Sequence, residues 1–495
     1  MGLVVRESFY NILSTLFAIG IGALNTVVFF PLVVGVQSYG ILMILLAQSN
    51  ILQPIFSFGL QNAVIKFFSA APSREEQDKL LLFSLIFPLL IIVPSAFLFF
   101  GHYTAITDSL SSKNEGLADF IYLIFVIAVS TAYFEIFFSW ARVQKKTVVG
   151  NFMKEVYQRV LISGLLLGYF LEWYSFTGFI HALIVGYYIR LAIMVGYSLW
   201  LYRPKIYFSL PSNHSSLLLY MLLIFLSAFG ASVIIDIDAS MLGKIVEEKY
   251  VAYYKVGVFI AALIDAPLRA LQQIISPLVA EAINNNHSHK LKDLLRKSSV
   301  NLLLVSGLFF VLINANIDDL YGFIYLLNGK EGFSLAIPVV LYFSMTKLFT
   351  AATGCVNNII TNSKYYYVVP FFSMGSAVAV VVLNLQLIEE LGFVGAAVST
   401  FLVITLFNLL KVLFVWYRFR ILPFNKEVLY LFGVILLSYG AFSFLHFPFP
   451  ILVNLVLKCL LIGVSYLGLC YVLGLSLQVN AFIDQGIKKL RSFIG

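Results

Sequence analysis

The sequence predicts an all-α polytopic membrane protein with about fourteen transmembrane helices, on three grounds: its composition, the spacing of its apolar runs, and the placement of basic residues between those runs. Hydrophobic residues make up 61% of the 495 and charged residues 11%, for a mean hydropathy of +0.94. A soluble domain carries about 25% charged residues, and a chain this apolar lacks the polar surface to cover a water-soluble fold. The 47 Phe and 28 Tyr suit lipid-facing walls and interfacial belts. A pI near 9.1 raises the question of nucleic acid, but the basic residues lie between apolar segments, so topology accounts for them and no nucleic-acid partner is expected.

A spanning helix needs about 20 mostly apolar residues. Fourteen segments qualify: 9–34, 40–66, 80–101, 119–141, 152–171, 177–201, 217–241, 251–281, 298–315, 333–355, 365–388, 392–416, 428–446 and 451–477. The first is too long for the apolar core of a signal peptide and shows no small-residue cleavage site, so it reads as a membrane helix. The eighth contains Pro267 and Pro277, which predicts a kink or a cytoplasmic extension. No segment alternates with period two over about ten residues, which argues against a β-barrel.

Loop charge tests the count. With the N-terminus in the cytoplasm, 21 Lys and Arg fall on the inner side, among them Arg6, Arg142, Lys145, Lys290, Arg418 and Lys488, against four outside: Lys113, Lys244, Lys249 and Lys330. A missed or false helix early in the chain would scramble this bias, so the positive-inside rule places both termini in the cytoplasm and the protein in a bacterial inner membrane. The longest outer loops, 102–118 and 316–332, have under twenty residues each, leaving no room for an extracytoplasmic domain.

A weak internal repeat accompanies the helices. An offset of 213 residues superposes Pro54 on Pro267, with Tyr39-Gly40 and Tyr253-Tyr254 at the corresponding outer ends. Internal repeats around a central site are a common transporter plan.

Ionisable residues inside spans are costly and face a cavity or a partner. Arg190, Asp265, Arg269 and Lys347 fall near mid-span; Asp236, Asp238 and Lys255 in the outer third; Glu135 and Arg159 in the inner third. Asp265 and Arg269 stand four apart on one helix face, as do Glu155 and Arg159, which are expected to form a local pair. Lys66, Lys411 and Lys458 are expected to snorkel to an interface. Three mid-span cations against one acid leave an excess of positive charge, which an anionic ligand would resolve, and Arg and Lys are natural phosphate partners. Helix one adds Asn25, and helix two adds Gln48, Asn50, Gln53, Gln61 and Asn62, more amides than helix-to-helix hydrogen bonding requires and suited to a water-filled, sugar-tolerant cavity.

Enzyme and cofactor signatures are lacking. No phosphate-binding glycine loop is followed by Lys-Ser/Thr. The six histidines lie in loops or at helix ends, and Cys355, Cys459 and Cys470 sit in apolar runs at no metal-ligand spacing, so neither metal nor cofactor is expected.

The runs VVGVQSYGILMI and FGLQNAVIKFF, with DIDASMLGKIVEEKYVAYYKVGVFIAALIDAPLRALQQIISPLVAE in the second half, resemble the polysaccharide-transport family of the multidrug/oligosaccharidyl-lipid/polysaccharide flippase superfamily. Gly35, Tyr39, Gly40 and Gly59-Leu60 carry the likeness in the first half; Asp236, Tyr253-Tyr254, Pro267 and Pro277 carry it in the second. The resemblance implies two pseudo-symmetric six-helix lobes around a central cavity, at 1–202 and 203–426, then two further helices at 427–477 and a cytoplasmic tail at 478–495. It implies a non-enzymatic flippase of the O-antigen type, moving a lipid-linked oligosaccharide on a polyprenyl pyrophosphate carrier from the inner to the outer leaflet by alternating access. Membrane lipids and other polysaccharide-assembly proteins would be its partners. Under that reading, Arg269, Lys347 and Arg190, with Arg159, Lys255, Asn25, Gln48 and Gln53, are the candidate substrate-binding residues. Asp236, Asp238, Asp265 and Glu135 are the candidates for coupling H+ or Na+ or for salt bridging.

Two departures bear on the substrate. Related lipid II flippases are basic in the first two helices, where this chain has Leu24-Asn25 and Gln53-Pro54. Related drug exporters carry an acid in the first helix, which here has none after Glu7. A multidrug or other small-molecule exporter is therefore the second reading. A membrane glycosyltransferase or polymerase ranks third, because the outer loops are too short to carry a catalytic centre.

Overall fold

The computed structural model describes residues 17–207, 209–329, 332–476, 479–480 and 484, and all regular structure among them is helical. Twelve of these helical stretches are long and apolar enough to cross a membrane, and a thirteenth is a bent pair. The remaining expected segment, 152–171, is helical throughout as α8 (Val148–Asn151), a π-helical turn (Phe152–Tyr157) and α9 (Gln158–Phe170). The stretches expected at 1–16 and in the tail from 485 onward, with Glu7, Arg6 and Lys488, lie outside the described residues.

The chain forms two compact units. Unit 1 runs to Lys255 and takes in Ser373–Ala396; unit 2 comprises Val256–Phe372 and the chain from Ala397.

In unit 1, α1 (Phe17–Val34) is wound as a π-helix from Leu24 onward. Pro31 within it has no N–H to give the ladder and its ring crowds the preceding turn, and the wider π turn accommodates both. Gly35 then takes φ 86°, a backbone shape closed to other residues, and starts α2 (Val36–Ser57). A second break at Phe58 and Gly59, both left-handed, leads into α3 (Leu60–Ala70). Next come α4 (Arg74–Ile86) and α5 (Leu89–Gly101), parted at Phe87-Pro88, then α6 (Tyr103–Ser111) and α7 (Tyr122–Val143). After α8 and α9 follow α10 (Phe176–Leu201) and α11 (His214–Ile245). Helix α2 packs between α7 and α11, and α7 also packs on α10 and α3.

Gly40 has a packing reason. A Cβ there would lie 1.9 Å from the Glu248 carbonyl oxygen, so only glycine lets α2 approach that backbone. Tyr39 beside it is buried, its ring stacked on Phe30 at 4.6 Å.

In unit 2 lie the end of α12 (Glu248–Ala262), α13 (Asp265–Asn284), α14 (Ser288–Asn314), α15 (Ile317–Asn328), α16 (Ile337–Ala352) and α17 (Val356–Asn362). Helix α18 (Val369–Leu391) begins here and passes to unit 1; α19 (Phe393–Phe419) begins there and returns. The C-terminal helices α20 (Lys426–Ser443) and α21 (Ile451–Val472) pack on α14 through Leu303, Val311, Leu431, Ile435, Ile462 and Tyr466.

The expected kink in the eighth segment is present, as the bent pair of α12 with the start of α13. The two repeat-related segments both break, but after Pro54 in one and before Pro267 in the other. The outer segments 102–118 and 316–332, read as loops, hold α6 and α15. Each is short and presents an apolar side to the fold, with Leu110 in one and Tyr321 and Ile324 in the other, so length alone could not mark them as helical.

Burial is inverted relative to a soluble protein. Large apolar side chains such as Phe97 (77% exposed) and Val464 (75%) face outward, while Ser130, Ser139 and Ser198 are buried between helices. Without a hydrophobic drive between helices in lipid, small and hydrogen-bonding residues make the contacts: the Ser130 hydroxyl donates to the Tyr187 carbonyl at 3.1 Å and that of Ser198 to the Phe137 carbonyl at 2.7 Å, joining α7 to α10.

Candidate functional site

The intramembrane charges sort into pairs within each unit. On α11, Asp236 receives the Lys255 ammonium at 3.0 Å and the Asn50 amide at 3.2 Å, tying α11 to α12 and α2. Two residues on, Asp238 is 1% exposed and accepts from the Tyr254 hydroxyl and, at 2.7 Å, from the Asn384 amide on α18. A carboxylate so far from water requires such donors. Asp238 therefore fixes α18 within unit 1, a role the sequence signalled only by the amides Asn384 and Gln386 inside the apolar run VVLNLQL.

Glu135 on α7 pairs with Lys154 at 2.6 Å, reaching into the π-helical turn. Glu155 and Arg159 form the expected local pair at 3.1 Å. Asn25 is buried on the π-wound part of α1, donating to the Arg159 carbonyl at 2.9 Å and accepting from Ser163 at 2.8 Å. It thus fastens α1 to α9. Gln53 donates to Ser57 one turn on at 3.2 Å, whereas the Gln48 amide nitrogen is buried with no hydrogen-bond partner among the described residues.

Arg190 on α10 is 2% exposed. Its guanidinium lies 4.1 Å from the centre of the Phe134 ring and 5.0 Å from that of Tyr187, and Nε and Nη2 have no hydrogen-bond partner among the described residues. Cation–π contacts offset part of the cost of stripping water from such a charge.

In unit 2, Lys347 on α16 pairs with Asp265 on α13 at 2.8 Å. The helical spacing that put Asp265 and Arg269 on one face therefore does not decide Asp265's partner; a neighbouring helix supplies it. Arg269 is exposed and makes no ion pair among the described residues.

Lys458 corrects its sequence expectation. It does not snorkel: it is 1% exposed, donates to the Ala315 carbonyl at 2.8 Å and lies 3.5 Å from Asp319. Asn454, one turn earlier on α21, donates to both Asp319 oxygens at 3.0 Å. Lys458 stands two turns into α21 with its side chain sealed from water, so it needs internal partners. Asp319 was missed because it opens α15, read as a loop. Lys66 is exposed, with its ammonium 4.0 Å from the centre of the Tyr220 ring.

No group of His, Cys, Asp and Glu able to hold a metal ion occurs among the described residues.

A family model described as "Polysaccharide biosynthesis protein" matches residues 4–283. No curated protein sequence gives a significant match. Among solved structures, the lipid II flippase MurJ in an inward closed conformation aligns with TM-score 0.73 at 15% identity, over 94% of this chain and 99% of that one. An inward-facing multidrug resistance MATE family transporter of the MOP superfamily aligns with TM-score 0.60 at 14% identity, over 84% and 94%. A variant of the Vibrio cholerae MATE transporter VcmN gives TM-score 0.53 at 11% identity, over 85% and 96%. At these identities the likeness is one of fold. With more than half of its length matched by the family model, this multi-pass membrane chain belongs to the polysaccharide biosynthesis protein family.

Proposed function

We propose that the protein moves a polyprenyl-pyrophosphate-linked oligosaccharide from the cytoplasmic to the outer leaflet of a bacterial inner membrane by alternating access, for surface polysaccharide or O-antigen synthesis. The observation that carries this reading is the charge left over after pairing. Arg190 in unit 1 and Arg269 in unit 2 make no salt bridge among the described residues, whereas Asp236, Asp265, Glu135 and Glu155 are each committed to a cation. Uncompensated guanidinium groups within spans favour a cargo that brings negative charge. A pyrophosphate brings it, and the family to which the chain belongs works in polysaccharide biosynthesis.

In this proposal Arg269 is the first contact for the phosphates, because it is exposed and unpaired. Lys347 follows when the phosphate oxygens outcompete the half-buried Asp265 carboxylate for its ammonium. Arg190 supplies charge in unit 1, with Arg159, Lys255, Asn25, Gln48 and Gln53 as further candidate contacts. Asp238, with Asp236, Asp265 and Glu135, is the candidate carrier of a coupling proton or sodium ion.

A leaflet assay tests the reading. Cells lacking the protein are probed for lipid-linked oligosaccharide on each membrane face. The expected result is accumulation on the cytoplasmic face, relieved by the intact chain and not by Arg269→Ala. Normal outward display with a later block in polymer assembly would overturn it.

A further inference from the structure

Unit 2 carries a cavity of about 490 Å³ where α15 faces the short turn that leads into α16. That volume falls within the range of small-ligand sites, about 300–1,000 Å³. Its walls combine two chemistries. Tyr321, Tyr325 and Phe333 supply aromatic side chains, while Asp318 and Ser334 supply a carboxylate and a hydroxyl. Tyr321 is 4% exposed, yet its hydroxyl has no hydrogen-bond partner among the described residues. Tyr321 therefore forms part of the cavity's closed back wall, with Tyr325 and Asp318 at its open side. Asp318 and Tyr325 are exposed and available to an incoming molecule.

Rings that supply flat apolar faces, beside a carboxylate and hydroxyls that bond polar rims, match one chemical class well. A pyranose has apolar C–H faces and an equatorial belt of hydroxyls, each both donor and acceptor. We propose that this cavity is a glycan-binding site, and that it holds sugar residues of the transported oligosaccharide on the face that the basic-residue bias assigns to the outside. The assignment of the glycan as transported cargo rests on the function proposed above. A free anion is a poorer occupant, because Asp318 would repel it.

The test uses the full-length protein in nanodiscs and, as probe, the reducing oligosaccharide released by mild acid from the cell's own lipid-linked pool, free of phosphate and lipid. Binding is read by saturation-transfer NMR and titration calorimetry. Tyr325→Ala and Leu335→Trp, both at exposed positions, remove a ring and fill the cavity respectively. Each is expected to weaken binding about tenfold or more, while Gly440→Ala, where a Cβ meets nothing within 4 Å, leaves it unchanged. Thermal unfolding of each variant confirms the fold. Binding that survives both cavity variants, or no binding to the intact protein, overturns the inference. If the cavity variants lose the probe while the leaflet assay shows no transport, the glycan site stands and the flippase reading falls. If transport depends on Arg269 but the probe ignores the cavity, the flippase reading stands and the glycan site falls.

Discussion

Lys347 and Asp265 meet at 2.8 Å across two helices of unit 2, α16 and α13, and this pair leaves Arg269, one turn from Asp265, without a carboxylate partner among the described residues. The arrangement separates the two cations: one is committed to an acid, the other is open.

Both cations are testable by substitution. Arg269→Ala and Lys347→Ala are both expected to abolish surface polysaccharide while protein level is maintained. Reversing the pair, with Asp265→Lys and Lys347→Asp together, keeps a salt bridge and should leave protein level and thermal stability at those of the unaltered chain without recovering polysaccharide. Immunoblotting and polysaccharide gels read both effects, and normal polysaccharide in the single variants would remove these cations from the site.

The Lys458–Asp319 contact predicts a stability effect independent of transport chemistry. Lys458→Ala removes the counter-charge of the largely buried Asp319 and leaves it only the Asn454 amide, with a cost of up to the about 3–5 kcal/mol typical of breaking a buried pair. The melting temperature in detergent should fall clearly. Adding Asp319→Asn removes the stranded charge, so the double variant should be more stable than Lys458→Ala alone. Additive losses in a double-mutant cycle would show that the two side chains do not interact.

Gly40 is expected to tolerate no side chain. Gly40→Ala drives a Cβ into the Glu248 backbone, and neither partner is a flexible side-chain end. Gly440→Ala is the matched control, since a Cβ there meets nothing within 4 Å. Fluorescence-detected size exclusion should show a lost or aggregated peak for the first and a normal one for the second.

The charge bias predicts topology. Tags at either end should be reachable only from the cytoplasm, by protease protection in spheroplasts. Outer access at one end would mean an odd number of crossings and would break the count of fourteen.

What the sequence alone determined is set by lipid. Each span must satisfy its own backbone hydrogen bonds and be apolar for about 20 residues, so composition and run length reveal helical class and helix positions, and Pro267 and Pro277 mark the eighth segment as one that bends or extends. Glu155 and Arg159 were equally legible, because their contact lies within one turn of one helix. What only the tertiary structure decided are the pairings between helices. Asp265 takes Lys347 over its own-helix neighbour Arg269, Asp238 takes Asn384 from 146 residues away, and Lys458 turns inward to Asp319. A charge in a low-dielectric interior takes the partner that packing brings within reach, and spacing along the chain does not encode which helices become neighbours. The cavity in unit 2 is of the same kind. Tyr321, Tyr325 and Phe333 look like ordinary apolar residues in the sequence, and only folding sets them around one space beside Asp318.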